Sequence, residues 1–353
     1  MKSTLIIAGA FIVSCCGTSQ NSSENTSKLD STSEKNDKTT VVAYAQSITS
    51  KELKEHLYIF ASDDFEGRDT GEPGQKKAAE YLKEQYKKMK IPSPMGGDDY
   101  YQEIPENYFR GGIKSSENVL AYIKGTEKPD EIVVLSAHYD HVGVDANGNV
   151  YNGADDDGSG TVSLLEIAEA FKKAKDDGVG PKRSILFLHV TGEEKGLYGS
   201  RYYTENPVFP LENTVTDLNI DMIGRIDQAH EEKDKNNYVY LIGSDRLSTE
   251  LHNISEEVNS KYTKLDLDYT YNAKNDPNRF YFRSDHYNFA KHNIPIIFYF
   301  NGVHMDYHKI TDTPDKIEYD LMAKRAQLVF YTAWEVANRA KKVVVDKIEK
   351  EGE

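Results

Sequence analysis

The sequence predicts an α/β fold, a mixed and mostly parallel central sheet flanked by helices on both faces. Two patterns predict it. Near-continuous apolar runs of strand length recur along the chain, as strands buried on both faces require. Amphipathic segments of helical spacing alternate with those runs. The chain has 353 residues, enough for one large core or two small ones, and its 38% hydrophobic against 29% charged residues suits a folded body with a very polar surface.

The chain opens on a targeting pattern. Lys2 precedes an apolar run from about Leu5 to Val13, too short to span a bilayer as a helix. The run ends in Ile12-Val13-Ser14-Cys15, which resembles the bacterial lipobox, with a small residue before a cysteine that is lipidated. Residues 1–14 are therefore expected to be a lipoprotein signal peptide. Residues 15–40 are expected to be the lipidated Cys15 and a flexible tether, since almost nothing in Gly17–Thr40 is apolar and such a segment cannot offset its ordering entropy. This places the protein in the cell envelope of a bacterium, held by lipid and facing the periplasm or the outer membrane. Cys15 and Cys16 are the only cysteines, so the folded part can form neither a disulfide nor a thiolate metal site. The net charge of −15 speaks against nucleic acid, which needs a basic stripe.

The folded body is expected over residues 41–345, with 346–353 a charged tail. Ile48 to Phe60 reads as a helix with Leu53, Leu57 and Phe60 on one face and Thr49 or Ser50 as N-cap. Gln75 to Met89 reads as a second, with Ala78, Ala79, Leu82 and Tyr86 inward. Thr161 to Lys173 follows a Gly-rich turn, and Tyr319 to Ala340 is a long amphipathic closing helix. The buried strands are Ile132–Ala137, Ser184–Val190, Leu218–Met222 and Pro295–Phe300.

Motifs that carry metal-ligating residues sit at or near the ends of these strands. They are AHYDHVG (137–143), NGADDDGSG (152–160), TGEEKGLYGS (191–200), LNIDMIGR (218–225) and DYHKITDT (306–313). In order they offer His138, Asp155, Glu194, Asp221 and His308, with Glu193 beside the third. Singly, each is ordinarily a solvated loop residue. Together they give imidazole and carboxylate without thiolate, a set that suits catalytic zinc better than structural zinc. The spare Glu193 supplies the proton acceptor that a metal-activated water needs. Open α/β sheets bind ligands outside the carboxyl ends of their strands, so these ends can converge on one site.

In these motifs, and in the opening segment YIFASDDFEGRDTGEPG (58–74), the chain resembles the M28 family of zinc aminopeptidases, from about Ile48 to the last helix. The resemblance implies a zinc-exopeptidase type of fold and two Zn²⁺ per chain. It implies that Asp155 bridges them, that His138 and Asp221 complete one position, and that Glu194 and His308 complete the other. It implies a cis peptide after the bridging residue, here Asp155–Asp156, with Asp156 and Asp157 ordering the loop. Glu193 is then the general base, Asp140 accepts the spare ring N–H of His138, and Tyr281 matches a tyrosine that binds the oxyanion in some relatives. Those relatives carry cysteines beside that tyrosine and this chain does not. His141, His286 and His304 fall outside the ligand set, and His189 reads as a core residue.

The implied activity is removal of N-terminal residues from peptides with a free amine. Two alternatives share the fold. A glutaminyl-cyclase-like acyltransferase uses one zinc and departs from Asp-Asp-Asp in the loop. A non-catalytic binding module would have lost ligands that are intact here.

Overall fold

The computed structural model describes Met1 and residues 41–347. The expected signal peptide, lipidated Cys15 and tether lie outside the described residues, as do 348–353 of the tail. The chain divides into two units, Met1–Val41 and Val42–Glu353, and the fold described below is that of the second.

Its eight strands are β1 (Tyr101–Ile104), β2 (Ser116–Ile123), β3 (Lys128–His138), β4 (Arg183–Val190), β5 (Thr214–Ile220), β6 (Tyr238–Ile242), β7 (Asp266–Asp268) and β8 (Ile296–Phe300). They form one sheet in the order β1-β2-β4-β3-β5-β8-β6-β7. The centre, β4-β3-β5-β8, is parallel, while β1, β2 and β6 join antiparallel and β7 pairs parallel with β6. The four strands expected from apolar runs are the four central ones. The flanking strands escaped that reading because a short strand such as β7 carries little pattern and because β2 begins with the polar Ser116, Glu117 and Asn118. Those residues are buried only because partners are built for them. Asn118, for example, bonds Gln102, the Gly199 carbonyl and the Thr191 N–H.

The longer helices are α1 (Ser50–Phe60), α2 (Pro73–Lys88), α3 (Gly160–Asp176), α4 (Tyr198–Glu205), α5 (Thr249–Val258) and α6 (Tyr319–Asn338). Thr49 is the N-cap of α1, its hydroxyl accepting the Glu52 N–H. Pro73 opens α2 where its missing N–H costs nothing. The period-two alternation of β4 shows how both sheet faces are covered. Phe187 meets Phe171 of α3 and Tyr86 of α2, whereas Leu186 and Leu188 join a cluster with Tyr203 of α4 and Phe289. Asp346 accepts the Thr249 N–H at the start of α5 and Lys347 reaches the Asp245 carbonyl, so the first residues of the expected tail are tied to the body. No helix among the described residues is long and apolar enough to cross a membrane.

Candidate metal centre

The parallel strands deliver the site. His138 is the last residue of β3, Asp221 directly follows β5, and Glu193 and Glu194 follow β4 by three and four residues. His308 lies beyond β8 in the left-handed region (φ 54°), a conformation that costs a non-glycine residue about 1–3 kcal/mol. The Asp-rich loop enters from the side and runs into α3.

Asp156, not Asp155, faces the histidines. Its Oδ1 lies 3.3 Å from His138 Nε2 and its Oδ2 lies 2.9 Å from His308 Nε2. His138 Nε2 is also 3.6 Å from Asp221 Oδ1, and His308 Nε2 is 3.2 Å from Glu194 Oε1. Asp155 is turned the other way. Its Oδ1 accepts the Gly224 N–H and the Ser159 hydroxyl, and its Oδ2 lies 3.1 Å from His304 Nε2. The expectations for this loop are therefore off by one residue, and so is the cis peptide, which joins Asp156 to Asp157. Three successive aspartates are chemically alike, and the main-chain path alone decides which one looks into the cleft.

Asp157 also comes within 4.8 Å of His138 and Asp221. Its Oδ1, however, accepts the N–H groups of Met222 and Gly160. Burial pushes the Asp157 carboxyl well above the usual carboxylate range, toward its neutral form. Burial acts on Asp156 in the same sense, but His138 and His308 outweigh it and hold Asp156 well below that range. Burial is likewise outweighed at Asp155, by His304, which holds it below the usual range, so of the three aspartates only Asp157 is pushed toward its neutral form.

Asp140 also differs from expectation. His138 Nδ1 lies 3.1 Å from the Asp140 main-chain carbonyl and 3.8 Å from the nearer carboxylate oxygen. A carbonyl can only accept, so Nδ1 carries a proton and Nε2 is the ring atom turned toward the cluster. The Asp140 carboxylate instead accepts the Thr70 hydroxyl and the Glu193 N–H, fixing the loop of the two glutamates. Glu193 Oε2 is 4.0 Å from His138 Nε2. Burial, reinforced by Asp221 and Glu194, raises its carboxyl well above the usual range.

These atoms fit a metal. His138 Nε2, Asp156 Oδ2 and Glu194 Oε1 are buried and have no hydrogen-bond partner among the described residues. Left so, each would cost the desolvation of an unmet polar group. Carboxylates crowd the same space, and a divalent cation offsets their mutual repulsion. The donor set, nitrogen and oxygen only, is of the kind zinc takes in catalytic sites.

The model of peptidase family M28 matches residues 118–333, more than half of the sequence. The chain belongs to peptidase family M28. A probable zinc metalloprotease of Pyricularia oryzae is 28% identical over 269 residues, 65% of this M28 chain and 52% of that protein, so the chain spans about half the length of this relative. The LapA aminopeptidase of Legionella pneumophila superposes with a TM-score of 0.65 at 22% identity, covering 85% of this chain and 75% of that one. BSAP, a zinc aminopeptidase from Bacillus subtilis, does so with 0.62 at 18% identity, covering 86% and 99%. Both structures share the fold.

Two residues that sequence reasoning did not single out hold this M28 site in shape. Arg68, fully buried, donates to the carbonyls of Tyr139, Phe60, Asn152 and Gly153, joining the His138 loop to the Asp-rich loop. Asp312 accepts the N–H groups of Asp155 and Asp156. Both lie in quoted motifs, but neither is of a type and position that a ligand pattern selects. Tyr281 is buried in the core at 1% exposure, its ring 3.8 Å from the Arg246 guanidinium. It is not among the residues that line the cleft beside Asp156, Glu193 and Asp221. Those include Phe280, Arg283, Phe298, Phe300 and Tyr307, so the tyrosine that reaches the cleft is Tyr307.

Proposed function

We propose that this chain is a di-zinc aminopeptidase that removes N-terminal residues from peptides. The observation that carries the proposal is the Asp156 carboxylate, whose two oxygens face two different histidines at 3.3 and 2.9 Å, each with a further carboxylate of its own. His138, Asp156 and Asp221 would hold one ion. Asp156, Glu194 and His308 would hold the other. Bound there, the ions supply the Lewis acidity that activates a water and polarises the scissile carbonyl.

The side chains do the rest. Glu193, beside His138 and fixed by its N–H bond to Asp140, accepts a proton from the attacking water and returns it to the leaving amine. Phe280, Phe298 and Phe300 offer an apolar wall for the side chain of the residue to be removed. Arg283 and Tyr307 bring polar groups to the same cleft. Sequence supports a setting in the cell envelope, with a lipid on Cys15 as the membrane attachment.

The test is a panel of aminoacyl chromogenic substrates, each also N-acetylated, assayed with chelator and after zinc add-back. Cleavage confined to free amines, lost with chelator and restored by zinc, is the expected result. Equal rates on blocked and free substrates would overturn the aminopeptidase reading.

A further inference from the structure

The geometry points to His141 as an additional ligand of the metal centre, joining Asp156, Glu194 and His308 around one ion. This rests on the two-metal reading above. His141 Nδ1 lies 2.9 Å from Glu194 Oε1 and 3.7 Å from Asp156 Oδ2. His308 Nε2 lies 3.2 and 2.9 Å from the same two oxygens. Zinc holds such donors at about 2.0–2.1 Å, and the corners of a tetrahedron of that size stand about 3.3 Å apart. The four distances straddle that value, and His141, Asp156 and Glu194 each place a donor atom within 4.8 Å of the other two, with His308 Nε2 beside the same two oxygens.

The imidazole is held for this purpose. It is wholly buried, and neither ring nitrogen has a hydrogen-bond partner among the described residues. Its main-chain N–H is tied to the Arg68 carbonyl, and its ring packs edge-on to His308 with centroids 5.6 Å apart. Gly153 makes room for it, since a Cβ there would lie 2.5 Å from His141 Cγ. His304, also buried beside the Asp-rich loop, differs: its Nδ1 accepts the Asp306 N–H and its Nε2 faces Asp155.

With His141 the two positions become unequal. The one at Glu194 has four protein donors, the pattern of a closed site, whereas the one at His138 has three and keeps a place for water or substrate. The closed position holds its ion more tightly, and His141 is the reason.

The experiment is graded chelator dialysis with elemental analysis on the purified chain and on H141N. Asparagine offers an N–H near the place of Nδ1, so it can still bond Glu194 but supplies no imidazole lone pair. The wild type is expected to release its two ions in two separate steps. In H141N the tighter step should weaken by at least about 10-fold, the lower end of what even indirect partners of a metal contribute, while the looser step stays put. Unchanged release in H141N makes His141 only a hydrogen-bond donor to Glu194 and overturns the assignment, leaving the two-metal reading intact. A wild-type chain that never holds two ions removes both. If H141N does not fold, H141C loaded with cobalt decides. A thiolate-to-cobalt charge-transfer band supports ligation from position 141, and its absence in a folded two-cobalt protein overturns it.

Discussion

Asp312 Oδ2 accepts the N–H of Asp156 at 3.2 Å. The same carboxylate takes the N–H of Asp155 at 3.0–3.1 Å, so one side chain clamps the backbone on which Asp156 turns toward the histidines. Asp312 itself touches no candidate ligand atom of the centre; it acts through the main chain. D312A, which leaves no acceptor there, should fold yet bind metal about 10–100-fold more weakly, the usual cost of losing a group that orients a ligand. Metal titration of the apo protein measures this, and unchanged affinity would show that the loop holds its shape without the clamp.

The one-residue shift in the Asp-rich loop separates two neighbouring variants. D156N should lose at least one ion, because a neutral amide bridges two cations poorly. D155N should keep both, since an amide oxygen can still accept from Gly224 and Ser159. Metal content after gel filtration decides between them, and the opposite pattern would restore Asp155 as the bridge.

Glu193→Gln should keep both metals and the fold while turnover falls by about 10²–10⁴-fold, the usual contribution of a positioned acid–base group. Elemental analysis and steady-state kinetics on one preparation make the comparison. Turnover within a few-fold of wild type would remove Glu193 from proton transfer.

His189 gives a pH dependence unrelated to the metal. It is fully buried on β4, its Nε2 2.7 Å from the Tyr86 hydroxyl, and burial lowers its pKa from 6.5 to about 3. Between those values the unfolded chain takes up a proton here that the folded chain refuses. The contribution of His189 is therefore complete above pH 6.5 and is lost as pH falls, by about 1.4 kcal/mol per pH unit. In metal-free protein, the decline in Tm from pH 6.5 to 5 should be shallower for H189Q than for wild type. Parallel declines would mean that His189 is charged in the fold.

Cys15→Ser should release the protein from membranes or leave its signal uncleaved, and a chain starting near Val41 should be soluble and active. Cell fractionation with labelled fatty acid tests this. Normal processing of Cys15→Ser with the protein still in the membrane pellet would point to a surface patch on the folded body.

Residue type and spacing alone identified the four central strands, four of the six longer helices (α1, α2, α3 and α6, but not α4 or α5) and the acidic and histidine motifs at the strand ends. This was possible because buried strands must be apolar throughout and because metal ligands come from few residue types. His138, Glu194, Asp221 and His308, which the fold brings into one cluster, could be named as candidates on that basis, and Glu193 by its place beside one of them. Tertiary structure decided what chemical type cannot. Which of Asp155, Asp156 and Asp157 faces the cleft depends on Asp312 and on the N–H groups of Met222 and Gly224, far along the chain. The acceptor for His138 Nδ1 is a backbone carbonyl, which every residue has and no motif records. Tyr281 packs into the core under Arg246, and His141 turns toward Glu194. Side-chain direction follows from the path of the folded main chain, so it emerges only when distant segments are brought together.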